Sequence, residues 1–222
     1  MSGIKYFVFD AYGTLFDVHS AAGKYKDDIG ANWDRLSQTW RIKHLEYTWI
    51  YGRIGRPQKF WDLTALSLDY AIASVGGVPA GIREKLLDAY LTLDAYKEVP
   101  EVLAGLKAAG ATTAILSNGD PDMLEAAVSS AGIGEALDAV ISVVDAGTFK
   151  PDFKVYELVT KRFGCTPGEV SFQSSNRWDA AAATAFGFKA VWINRMSMPA
   201  EYADLPAAHV IDDLYPLLKL AG

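Results

Sequence analysis

Apolar and polar positions follow two rhythms along this chain, and the changes between them divide it. Ile4 to Phe9 is a short run of β-branched and aromatic side chains, which predicts a buried strand ending at Asp10. From residue 17 to about residue 96 the rhythm becomes helical. Trp33, Leu36, Trp40, Leu45 and Trp49 recur at helical spacing, and a second series follows at Phe60, Leu63, Leu66 and Tyr70. Gly76, Gly77 and Pro79 mark a turn before a third helical segment, Ile82 to Leu93. No strand pattern interrupts them.

From Pro100 onward short apolar strands alternate with helices. Helix Glu101 to Ala109 ends at Gly110, and strand Thr112 to Leu116 runs into Ser117, Asn118, Gly119 and Asp120. Pro121 opens a helix to Ala131, closed by Gly132. Ala139 to Val144 reads as a strand, Phe153 to Phe163 as a helix, Val170 to Gln173 as a strand, Asp179 to Phe186 as a helix and Ala190 to Ile193 as a strand. His209 to Ile211 fits a final edge strand, and Leu214 to Leu220 a closing helix. The alternation predicts a doubly wound α/β core with a parallel sheet, built from residues 1–16 and 97–222, with 17–96 as a helical insertion.

Composition narrows the function classes. The 222 residues, half of them hydrophobic, suffice for one well-buried domain and a modest insertion. The N-terminus enters a strand pattern with Lys5 inside it, unlike a signal peptide or the ~20 apolar residues of a membrane span, so a cytoplasmic protein without a membrane partner is expected. One cysteine, Cys165, allows no intrachain disulfide. His19, His44 and His209 are too scattered to suggest a zinc site or a Ser-His triad. A net charge of −6 with no basic run argues against nucleic acid as a partner. A small anionic substrate stays open, because local cations such as Arg41 and Lys150 decide that.

The chemistry collects at strand ends. Parallel strands place their carboxyl ends on one edge of the sheet, where ligand sites of such sheets lie. Asp10, Ser117, Lys150 and the run Ser174, Ser175, Asn176, Arg177, Trp178, Asp179 all follow strand candidates. Gly13 permits a tight turn after Asp10, Thr14 offers its carboxylate a hydroxyl, and the loop amides can hold a small anion. Turn and cap chemistry alone accounts for Asp10-x-x-Gly13-Thr14, but not for a lysine in Phe149-Lys150-Pro151.

These four loops resemble the four motifs of the haloacid dehalogenase-like (HAD) hydrolase superfamily, and the insertion resembles its helical cap. The similarity is closer still to the L-2-haloacid dehalogenases. It is carried by Phe-Asp-Ala-Tyr-Gly-Thr-Leu-Phe-Asp at 9–17, Trp40-Arg41 with Leu45-Glu46-Tyr47, Leu-Ser-Asn-Gly at 116–119, Phe149-Lys150-Pro151 and Ser-Ser-Asn-Arg-Trp-Asp at 174–179. The resemblance implies a HAD-like, Rossmannoid fold and a cofactor-free, metal-free enzyme. Its reaction would convert short L-2-haloalkanoic acids to (R)-2-hydroxy acids and halide, through an ester on Asp10. It further implies that Thr14 and Ser174 orient Asp10 beside Lys150. The backbone amides of Ala11 and Tyr12, with Ser117, would take the substrate carboxylate, and Arg41 with Asn118 the halide. Asp179, with Asn176 and Lys150, would serve the hydrolytic water, while Leu45, Tyr156 and Trp178 would wall the pocket, a purely core role being equally open to the two aromatics. A homodimer is also implied.

Two positions separate this expectation from a Mg²⁺-dependent phosphatase of the same fold. Phosphatases of the superfamily carry an acidic proton donor where this chain has Tyr12, and a phenol with a reference pKa near ~10 is a poor donor at neutral pH. Ser175 and Asn176 stand where those enzymes place acidic metal ligands, which leaves only Asp10 and Asp179 for a hard cation that wants several oxygens. A non-catalytic interaction module is a further alternative that fold alone does not exclude. Ile42, Phe153, Gln173 and Arg177 depart from residues frequent in the family, so chain-length preference stays open.

Overall fold

In the computed structural model, which describes residues 3–220, the chain enters through β1 (Tyr6–Phe9). It then runs through α1 (Ser20–Lys24), α2 (Lys26–Ile29), α3 (Trp33–Arg53), α4 (Phe60–Ser74) and α5 (Ile82–Leu91). Helices and strands alternate afterwards: α6 (Val99–Ala108), β2 (Thr112–Ser117), α7 (Pro121–Ser130), β3 (Ala139–Ser142), α8 (Phe153–Phe163), β4 (Val170–Ser174), α9 (Arg177–Phe186), β5 (Lys189–Ile193), β6 (His209–Ile211) and α10 (Leu217–Leu220).

The strands form one parallel sheet in the order β3-β2-β1-β4-β5-β6. Helices cover both faces of its centre, so β1 and β4 are buried on both sides; β1 accordingly reads as a continuous apolar run, whereas β4 alternates and buries Ser171, Gln173 and Ser174 as well. Phe9 is paired with Ile115 of β2 and with Gln173 of β4. The chain therefore leaves β1 between the ends of two other strands, at the point where the strand order reverses.

Some element ends differ from the sequence expectation. β3 stops at Ser142, because Val143–Ala146 turns into a 3₁₀ helix closed by Gly147 at φ 64°. The Ser142 hydroxyl is engaged there, donating to Gly119 O at 2.7 Å and accepting from Val144 N at 3.3 Å. Helix α9 starts at Arg177, two residues early, with Asn176 as its extended N-cap, so Asp179 sits in the first helical turn. The closing helix is shorter than expected and begins at Leu217.

Between β1 and α6, residues 17–96 hold helices and no described strand. Helix α3 packs Leu36, Trp40, His44 and Thr48, spaced four apart, against α4. The buried face of α4 is Phe60, Leu63, Thr64, Ser67, Leu68 and Ala71, so Leu66 and Tyr70 of the expected series point outward. Steps of three drift off the 3.6-residue period, and the sequence series followed bulky residues where the helix buries small polar ones. Thr64 and Ser67 tolerate burial because their hydroxyls donate to Phe60 O and Leu63 O, at 2.9 and 2.7 Å.

One contact ties α4 to the sheet edge. Its N-cap, Lys59, offers no side-chain cap, and the free amides of Phe60 and Trp61 donate instead to the Asp120 carboxylate after β2, at 3.2 and 2.9 Å. No described helix is long and apolar enough to cross a membrane.

Candidate active site

At the carboxyl end of the sheet, Lys150 Nζ lies 3.1 Å from Asp10 Oδ1 and 2.8 Å from Asp179 Oδ2. The lysine is 1% exposed and Asp179 is fully buried. Burial disfavours the ammonium, but Asp10 and Asp179 outweigh it and the Lys150 pKa is raised. Asp179 is pushed up as well, by burial first, with Lys150 opposing. Its second oxygen, Oδ1, accepts from the Tyr156 hydroxyl at 2.6 Å.

Of the two roles open to Tyr156, wall or core, the structure shows the core one. It has no exposed surface, and its ring packs against Phe172, Phe186 and Phe188, so it supports Asp179 from behind and does not wall a pocket. Burial holds its phenol well above the usual value, which keeps it a donor.

The two oxygens of Asp10 are not equivalent. Oδ2 has three donors: Asn176 Nδ2 at 2.7 Å, Thr14 Oγ1 at 3.0 Å and Ser174 Oγ at 3.3 Å. Among the described residues, Oδ1 meets Lys150 alone. The single Ser174 hydroxyl hydrogen is shared, because Asp179 Oδ2 is also within 3.2 Å. Thr14 is fixed in turn by accepting from Ser175 N at 2.8 Å.

The loop after Asp10 folds back on itself. Ala11 O accepts from the amides of Thr14, Leu15 and Phe16, and Gly13 takes φ 94°, a conformation that favours glycine. The amides of Ala11 and Tyr12 find no acceptor among the described residues, as expected of an anion-binding turn. Nearby, Ser117 Oγ accepts from Gly119 N at 3.1 Å, and Asn118 Oδ1 accepts from Lys150 N at 3.0 Å. The Asn118 Nδ2 donors have no partner among the described residues.

Arg41 reaches the loop from α3. Its Nη2 donates to Tyr12 O and Asn176 Oδ1, both at 3.0 Å, and no described carboxylate pairs with it. It lines a cleft of about 530 Å³ together with Gly13, Leu45, Ser175, Asn176 and Trp178. Leu45 and Trp178 thus stand where a wall was expected, and Trp178 also meets Trp49 of α3 edge-on at 5.4 Å. A larger hollow of about 980 Å³, between α7, β3 and α8, contains none of the site residues.

The donor set does not suit a hard divalent cation. Lys150 stands between the two carboxylates of the site, and Ser175 and Asn176 add only neutral groups. The ammonium supplies the countercharge.

Sequence reasoning missed several contributors. Arg195 donates to Thr14 O at 3.0 Å while paired with Glu98, bracing the first loop from the segment after β5. Gly119 leaves room for Tyr12, whose ring atom lies 2.8 Å from where a Cβ would be. His44 and Tyr90 are buried beside Arg41. Of the departures from the family pattern, Arg177 holds the loop after β5 through Tyr202 O and Leu205 O, and Phe153 packs on Phe186. Gln173 is buried and donates to Ser171 Oγ, while Ile42 is exposed and lines the cleft.

Residues 4–187 match the family model of the haloacid dehalogenase-like hydrolases, and the chain belongs to that family. It is 45% identical over 221 residues to (S)-2-haloacid dehalogenase 1 of Pseudomonas sp. (strain CBS-3), covering 99% of this chain and 97% of the relative. With (S)-2-haloacid dehalogenase 4A of Burkholderia cepacia it shares 41% over 215 residues, 95% of this chain and 93% of the relative. Among solved structures, the L-2-haloacid dehalogenase from Xanthobacter autotrophicus with chloropropionic acid covalently bound matches with a TM-score of 0.89 at 36% identity, covering 98% of each chain.

Replacing Lys150 by Met should leave two buried carboxylates facing each other. Loss of one partner of such a buried pair costs about 3–5 kcal/mol. Urea denaturation should show that loss, and adding Asp179→Asn to Lys150→Met should recover part of it. A single variant as stable as the parent, or a double variant no better than the single, would refute the electrostatic reading.

Proposed function

We propose that this protein is an (S)-2-haloacid dehalogenase, acting on short L-2-haloalkanoic acids with inversion to give (R)-2-hydroxy acids. The observation that carries the mechanism is the asymmetry of Asp10: among the described residues Oδ1 touches only Lys150, while Oδ2 has three donors. Substrate enters with its carboxylate on the Ala11 and Tyr12 amides and the Ser117 hydroxyl. Asp10 Oδ1 attacks C2 opposite the carbon–halogen bond, which breaks as the O–C2 bond forms. The halide leaves toward the Arg41 guanidinium and Asn118 Nδ2.

Hydrolysis uses the other oxygen. Water adds to Cγ of Asp10, and the charge that develops falls on Oδ2, where Asn176, Thr14 and Ser174 already donate. Asp179, held by Lys150, takes the proton of that water, and burial makes it a stronger base than an exposed aspartate. Collapse breaks the Cγ–Oδ1 bond, and the proton returns to Oδ1 as it departs as the product hydroxyl. Residues 17–96 act as a cap that brings Arg41 and Leu45 over the loop and, with Trp178, keeps bulk water from the ester.

The phosphatase alternative is weakened at Tyr12. That phenol is pushed well above its usual value, chiefly by burial, so it does not protonate a leaving alkoxide near neutral pH. Halide needs no proton to leave.

A homodimer fits the exposed apolar side chains of the cap, Ile50 and Ile54 at the end of α3 and Leu66 and Tyr70 on α4. Sedimentation should give a dimer at micromolar concentration, and a monomer there would end that idea without touching the chemistry.

Halide release separates the enzyme readings. It should proceed from L-2-chloropropionate and not from the D isomer, unchanged by EDTA, with no phosphate released from p-nitrophenyl phosphate. Equal turnover of both isomers, or loss on chelation restored by Mg²⁺, would contradict the proposal.

A further inference from the structure

Arg41 is held by more than the core loops. On the cap side a small enclosed space of about 10 Å³ is lined by Val18, Ser37, Trp40, Arg41, His44 and Tyr90. The hydrogen bonds along this wall run in one direction. Thr64 Oγ1 donates to Phe60 O at 2.9 Å, so toward His44 its oxygen is an acceptor, and His44 Nε2 at 3.1 Å is the donor. With its proton on Nε2, His44 has a bare Nδ1, which accepts from the Tyr90 hydroxyl at 3.4 Å. The Tyr90 oxygen is then free to accept from the neighbouring guanidinium.

The surroundings fix both rings. His44 packs on Phe60 at 4.2 Å, and Tyr90 stacks on Tyr12 at 5.6 Å and lies 5.0 Å from Trp40. The charge state is fixed too. Burial, with Arg41 adding to it, pushes His44 down to about 3, so the imidazole stays neutral and keeps its acceptor nitrogen. Tyr90 and Arg41 line the same small space, and burial pushes Tyr90 up to about 12 against the opposing charge of Arg41.

We propose that His44 and Tyr90 are positioning residues for Arg41: neutral His44 orients the Tyr90 hydroxyl, which joins Tyr12 O and Asn176 Oδ1 in holding the guanidinium where halide departs. This rests on the assignment of Arg41 to the halide. A guanidinium on a long side chain loses its aim easily, and a displacement of about 1 Å at a reacting centre costs on the order of 100-fold in rate. The loss falls on the step that develops halide charge, so it is larger for a poorer leaving group.

Single-turnover halide release from L-2-chloropropionate and L-2-bromopropionate tests this in Tyr90→Phe, His44→Leu, His44→Gln and Arg41→Lys. Tyr90→Phe, which keeps the stacked ring, should slow chloride release about 10- to 100-fold and bromide release less. His44→Leu should do the same, and the pair combined should fall short of additivity, as groups acting in one chain do. His44→Gln, which can accept from Tyr90 and donate to Thr64, should restore the ratio of the two rates toward that of the parent. If Tyr90→Phe leaves the ratio unchanged while Arg41→Lys shifts it, the positioning proposal falls and the role of Arg41 stands. If Arg41→Lys leaves it unchanged too, both fall together.

Discussion

A lysine ammonium buried between two carboxylates is the interaction on which the rest of the site depends. Without Lys150, Asp179 would be a fully buried carboxylate with no countercharge and Asp10 would lose its ion-pair partner, and leaving one partner of a buried pair alone is strongly destabilising. The pair of contacts at 3.1 and 2.8 Å settles charge but not every lone pair, and the remaining oxygens are met by Tyr156, Ser174, Thr14 and Asn176. With Asp10, Lys150 and Asp179, these partners come from the ends of β1 and β4, from the loop before α8, and from α8 and the start of α9, so the parallel sheet is what brings them within reach. Two carboxylates against one ammonium leave the centre with a net negative charge, which would repel an anionic substrate. The amides of Ala11 and Tyr12, without an acceptor among the described residues, and the Arg41 guanidinium, which no described carboxylate pairs, supply the compensating positive potential.

That last charge comes from outside the sheet, and its placement depends on how the helical segment is docked. Asp120, at the end of the second loop, caps α4 through the amides of Phe60 and Trp61. Arg41 itself bridges to Tyr12 O and Asn176 Oδ1, and Trp49 meets Trp178 edge to face. Each of these contacts joins the helical segment to a catalytic loop. On the opposite rim, Arg177 stacks over Trp192 and Tyr202 and anchors the loop after β5, which closes the cleft beside Trp178. The site is therefore assembled from two sides, with the carboxylates and lysine from the sheet edge and the Arg41 guanidinium from the helices.

Much of this was legible in the sequence because it is written locally. A strand that ends in Asp10, a Gly-Thr turn, a lysine before proline and a Ser-Ser-Asn run are signals a few residues long, and parallel strands convert them into one cluster. What was not legible joins residues far apart or depends on fine helical phase. The aromatic appearance of Tyr156 suggested a wall, yet only the fold shows its hydroxyl on Asp179. Asp120 looked like part of a turn, because nothing near it in sequence reveals a helix start 60 residues earlier. Leu66 and Tyr70 belong to the apolar helical series of the sequence, whereas α4 buries Thr64 and Ser67, whose hydroxyls satisfy themselves on their own helix. His44 appeared as one of three scattered histidines, and its neighbour Tyr90 belongs to another helix.

The central claim is that Asp10 forms a covalent bond to the substrate and that its own oxygen becomes the product hydroxyl. One turnover in H₂¹⁸O with enzyme in excess tests it most directly, by mass spectrometry of the product and of the peptide containing Asp10. The account predicts unlabelled 2-hydroxy acid and one ¹⁸O in the Asp10 carboxylate. Label in the product hydroxyl, with Asp10 unlabelled, would mean that water attacks C2 itself and would contradict the account.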